Sequence, residues 1–147
     1  MEILYGLPYC QIERLQRVHN TAARILTLTR KYEHITPVLK SLDFLPVKQH
    51  IVYTIVTLTF KCLTGFAPYY LSTFLSPYSL PRLLRSSNNL LLIEFRSRTK
   101  SYGDRAFKTA APKLWNKLPL SIRQSKTLAS FKSQLKHHLF KEAYMNI

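Results

Sequence analysis

The chain has 147 residues, 46% of them hydrophobic and 12% aromatic, which suffices for one domain with a core and excludes wholesale disorder. Lys and Arg number 22 against 7 acids, a formal net charge of +15, so a polyanion, a phospholipid surface or an acidic partner is needed to neutralise it. Cys10 and Cys62 lie far apart with no C-x-x-C, too few for a disulfide framework or a zinc site.

That cysteine usage fits a reducing, intracellular compartment, cytoplasmic or nuclear. The start, Met1 to Pro8, has no positive n-region and no long apolar run, so no signal peptide is expected. The positive charge grows along the chain, and from Arg105 to Lys141 no Asp or Glu occurs.

Gln11–Leu28 has the spacing of a helix, with Ile12, Leu15, Val18, Ala22, Ile25 and Leu26 marking the face expected to pack. Arg14, Arg17 and Arg24 fall on the other side, as a solvated face or as phosphate contacts. A second, short helix is expected over Thr36–Leu42, with Thr36 as N-cap and Pro37 as first residue. Val47–Leu63 is the most apolar segment. Its length and the four-three-four recurrence of His50, Thr54, Thr57 and Lys61 favour a central core helix over a strand. Gly65 suits its end. Lys48, His50 and Lys61 interrupt a run already too short to span a membrane.

Pro68 opens a short helix through Phe74, and residues 76–89, with Pro77, Pro81 and several serines, read as a mobile loop. Leu90–Phe95 reads as extended, with Leu91, Ile93 and Phe95 inward and Glu94 outward. The same alternation sets Arg96, Arg98 and Lys100 on one side, either as a ladder for phosphates or as the charged guard of an exposed edge. Asp104–Thr109 offers a return strand, so the fold class is mainly α with a short β-hairpin allowed around residues 90–109. Ala111–Leu118 reads as a helix begun by Pro112 and stopped by Pro119, anchored by Leu114, Trp115 and Leu118, with Lys113 and Lys117 opposite. The sole tryptophan, Trp115, is either a packing anchor or, with Tyr102, a surface for stacking bases. Leu128–Tyr144 is an amphipathic helix with Thr127 as N-cap and a stripe of Leu128, Phe131, Leu135 and Leu139 flanked by Lys132 and Lys136.

Reactive chemistry has no foothold in this pattern. Asp43, Glu94 and Asp104 are isolated, and there is no Gly-rich phosphate loop, no G-x-S-x-G and no H-E-x-x-H. His137 and His138 are neighbours on a helix and point apart, while His19, His34 and His50 lack a ligand at metal spacing. No catalytic residue, metal or cofactor is expected.

Several blocks line up in order: LQRVHNTAAR (15–24), HITPVL (34–39), LPV (45–47), FK (60–61), GFAPYYL (65–71), RTKSYGDRAF (98–107), AAPKLWNKLP (110–119) and FK (131–132). With them the chain resembles the segment that follows the reverse transcriptase domain in LINE-type (non-long-terminal-repeat) retrotransposon polyproteins. The resemblance implies a single post-polymerase C-terminal domain, over 1–147, of an RNA-directed DNA polymerase polyprotein. The catalytic palm would lie upstream, the Tyr-x-Asp-Asp signature has no counterpart, and the expectation is a truncated remnant.

The function expected first is non-catalytic grip on an RNA or DNA backbone through Arg96, Arg98, Lys100, Arg105, Lys108, Lys113, Lys117, Lys132 and Lys136. Next comes a protein-interaction module docking on an upstream polymerase domain, with an exposed apolar patch near Trp115 and Phe131. Last is adsorption to an anionic membrane through the C-terminal helix.

Overall fold

A computed structural model describes residues 4–78, 90–97, 99 and 103–145. Among them are seven helices: α1 (Tyr9–Thr27), α2 (Ile35–Ser41), α3 (Val47–Leu63), α4 (Tyr69–Ser72), α5 (Phe107–Asn116), α6 (Leu120–Arg123) and α7 (Leu128–Tyr144). The architecture is mainly helical and contains no sheet among the described residues. None of the described helices is long and apolar enough to cross a membrane.

α3 is the hub, with α1, α5 and α7 packed around it. It buries Ile51, Ile55, Val56, Thr57, Thr59, Phe60 and Cys62, which face several directions, as a central helix must. Thr57 and Thr59 therefore sit inside, and the Thr59 hydroxyl donates to the Ile55 carbonyl at 2.9 Å, so its polar atom costs little there. At the centre the Phe131 ring stacks on Phe60, with centroids 4.2 Å apart, and on Trp115 at 5.8 Å. Such contacts add about 0.5–1.5 kcal/mol each beyond the area they bury. Trp115 is thus a packing anchor, 2% exposed, and its indole N–H donates to the Leu90 carbonyl at 2.8 Å.

α3 and α7 occupy the ranges that the sequence predicts, and Thr127 caps α7 by accepting from the Ser130 amide at 3.2 Å. Gly65, at φ +78°, closes α3, and the Phe66 amide returns to the Lys61 carbonyl at 2.9 Å. α2 starts two residues earlier than expected: His34 stands at the N-cap, and Thr36 and Pro37 lie inside the first turn, where amides need no helical partner. α4 is shorter than expected and ends at Ser72.

Three expectations fail. Of the predicted packing face of α1 only Ile12 packs against the core; Val18 is 70%, Ile25 69% and Leu26 65% exposed, and Ala23 is the one buried residue of the helix. The inner face carries Gln16, His19, Ala23 and Thr27 beside Ile12. Gln16 explains the choice, because its Oε1 accepts from the Val47 amide at 2.8 Å and so caps α3. α5 begins four residues before Ala111, so Pro112 lies within the helix with its ring buried, and Asp104–Thr109 turns into that helix rather than returning as a strand. The register of the 90–95 segment is also displaced. Leu92 is the buried residue, because Asn116 accepts from its amide at 3.0 Å and donates to its carbonyl at 2.9 Å. Its one bridge is with Pro77. Most of the expected loop, residues 79–89, lies outside the described residues.

Leu28 closes α1 at φ 54° with its side chain 90% exposed. A left-handed backbone costs a residue with a Cβ about 1–2 kcal/mol relative to glycine. Leu28→Gly is therefore expected to raise the melting temperature by about 2–4 °C per kcal/mol relieved, read by calorimetry, whereas Phe131→Ala should lose about 3–5 kcal/mol in denaturant titration.

Candidate nucleic-acid interface

The cations expected to bind phosphate fall into separate settings. Arg105 and Lys113 line a cleft of about 840 Å³ walled by the N-terminal turn, α1, α2, α3, the approach to α5 and Tyr144 of α7, with the acids Glu13 and Asp104 among its lining. Lys48, from the first turn of α3, joins them there. In the sequence Lys48 stands out only as a break in an apolar run, so its part in this cationic corner was not legible. Lys113 Nζ lies 3.4 Å from Asp104 Oδ1, which also accepts from Ser97 Oγ at 3.0 Å. The Arg105 Nε is buried without a hydrogen-bond partner. Gly6, at φ +71°, lets the chain pass this side chain: a Cβ there would stand 2.9 Å from Arg105 Cγ.

The remaining residues do not converge on that corner. Lys108 holds its ammonium 4.4 Å from the centroid of the Phe95 ring. Lys136 pairs with Asp43 and lines a smaller cavity, about 370 Å³, with His19, His50 and Tyr53. Lys117 and Arg96 are exposed, and Lys132 is half-buried. Arg98, Lys100 and Tyr102 lie outside the described residues. The ladder of Arg96, Arg98 and Lys100 therefore has one described member. Trp115, buried under Leu90, has no face to offer a base. The apolar patch expected near Trp115 and Phe131 is not made by those two rings, which are 2% and 0% exposed; exposed apolar side chains lie on α1, around Phe66, Tyr69 and Tyr70, and at Leu90.

The described residues hold no group of three or more His, Cys, Asp or Glu side chains placed to bind a metal ion. Three ion pairs occur among them, Arg17–Glu13, Lys113–Asp104 and Lys136–Asp43, and all six side chains are more than a third exposed. What the surface can do chemically is attract anions. Charge of this kind acts on phosphates whatever the bases they carry. Comparison with protein-family models, with curated proteins and with solved structures found no match for this chain.

His19 sits part-buried between α1 and the α2–α3 connection. Burial lowers its pKa below the ordinary 6.5, and the nearby charge of His50 lowers it further. Its Nδ1 is buried without a partner, and its ring lies 5.3 Å from that of Phe44. The unfolded chain thus binds a proton that the folded one resists, so this stability is present above pH 6.5 and is lost as pH falls through the lower folded value. Urea titrations from pH 7.5 to 5 should show falling stability, and His19→Gln should flatten the slope.

Proposed function

We propose that this chain is a non-catalytic, basic nucleic-acid-binding module, the post-polymerase portion of a retrotransposon RNA-directed DNA polymerase. Uncompensated surface charge carries the reading. A formal +15 meets only three exposed ion pairs among the described residues, so the cations remain available to phosphates. The ordered sequence blocks are what supports the family, and Trp115 and Phe107 of two of them sit in the core. Arg105, Lys113 and Lys48 offer one anchoring corner, and Lys117, just past α5, and Lys132 on α7 add separate cations to the surface. Recognition is of the backbone and carries little sequence preference.

Fluorescence anisotropy with a labelled single-stranded RNA and a duplex DNA, repeated across salt concentrations, tests the reading. On the single strand each phosphate neutralised contributes about −0.7 to the slope of log affinity against log salt, so roughly four contacts give about −3. Lys117→Gln and Lys132→Gln should each weaken binding on any sequence and make the slope shallower by roughly 0.7. A slope near zero, or no binding at low salt, removes the proposal.

A further inference from the structure

The exposed face of α1 repeats as a heptad. Leu15, Val18, Ala22 and Ile25 are spaced three, four and three apart, the seam of a helix that packs lengthwise on another helix. All four are exposed: Leu15 is 38%, Val18 70% and Ile25 69% exposed, and Ala22 between them is small enough to let a second backbone approach. Leu26 and Leu28 continue the ridge at 65% and 90% exposed. Leu28 holds a left-handed backbone that glycine would adopt more easily, yet its side chain packs on little of this chain. A row of large apolar side chains left in water at one edge of an otherwise packed helix marks an interaction surface.

We propose that this seam binds an amphipathic helix of another protein that carries Asp and Glu beside its own apolar stripe. Charge decides the occupant. Arg14, Arg17 and Arg24 border the seam on one side; Glu13, the helix's sole acid, pairs with Arg17 at 2.8 Å, which leaves Arg14 and Arg24 uncompensated within the helix. The Arg24 guanidinium donates to the Arg30 and Glu33 carbonyls, which are neutral, so its charge persists. A second copy would bring like arginines together between two bodies of +15. A membrane surface suits an apolar face with cations along both borders, whereas here the other border is the inner face that holds Gln16 and Ala23. The binding mode is helix on helix, with anchors three and four residues apart. The inference is independent of the nucleic-acid reading, because the apolar seam residues Leu15, Val18, Ala22 and Ile25 contact no phosphate in it.

The test uses the whole chain and a fluorescein-labelled synthetic helix with Leu and Ile at the seam positions and Glu at the flanks. Its controls are a scrambled peptide of the same composition and a helix with Lys in place of Glu. At physiological salt the acidic helix should raise anisotropy, and the two controls should bind at least tenfold more weakly. Val18→Ser and Ile25→Ser, both neutral surface changes, should weaken the acidic helix at least tenfold while leaving the melting temperature and RNA affinity unchanged. Equal binding of the scrambled peptide, or full affinity in both serine variants, would overturn the proposal, as would seam-dependent dimerisation in sedimentation. Seam-dependent floatation on phosphatidylserine vesicles without binding of the acidic helix would overturn it too.

Discussion

The stack of Phe60, Phe131 and Trp115 is the contact on which the other placements depend. It joins α3, α7 and α5 at one point, and each aromatic ring fixes the helix that carries it. With Trp115 fixed, its indole N–H holds Leu90, and the next residue, Asn116, grips Leu92 through both its amide and its carbonyl. An irregular segment thereby receives the pairing that a sheet would otherwise supply. With α7 fixed, Tyr144 at its far end reaches the Phe44 carbonyl at 2.8 Å and closes a small second core with Ala23 and Leu39.

The surface follows from that interior. A core built from aromatic and aliphatic side chains admits almost no charge, so the Lys and Arg side chains are left outside. Seven acids cannot neutralise 22 bases in any arrangement. The cations therefore form a surface field shared among the Lys48–Arg105–Lys113 corner, the Lys136 cavity and isolated positions such as Lys117. A distributed field of this kind suits a flexible, repeating anion better than a single compact ligand.

Local signals in the sequence predicted the helices well where they coincide with the packing. The end of α3 and the start of α7 were legible because local chemistry sets them, Gly65 by its left-handed backbone and Thr127 by its capping hydroxyl. The inner side of α1 was not, because periodicity points to the larger apolar residues while the buried side is chosen by Gln16 capping a helix 31 residues away. Pro112 misled for a similar reason. A buried proline ring within α5 pays with packing for the hydrogen bond it forgoes, and no neighbouring residue in the sequence announces that. The position of Leu92 depends on Asn116, 24 residues away, which alternation cannot foresee. Cationic residues could be named from the sequence, but their grouping could not, since Lys48 and Arg105 meet only through the packing of α3 beside the turn that precedes α5.

The most direct measurement of the central claim is lysine footprinting with an acetylating reagent at low salt, read by mass spectrometry with and without a single-stranded RNA. Protection concentrated at Lys48, Lys113, Lys117 and Lys132 is the result expected of a cationic helical surface that holds a phosphate backbone. Reactivity that RNA leaves unchanged at all four would contradict it.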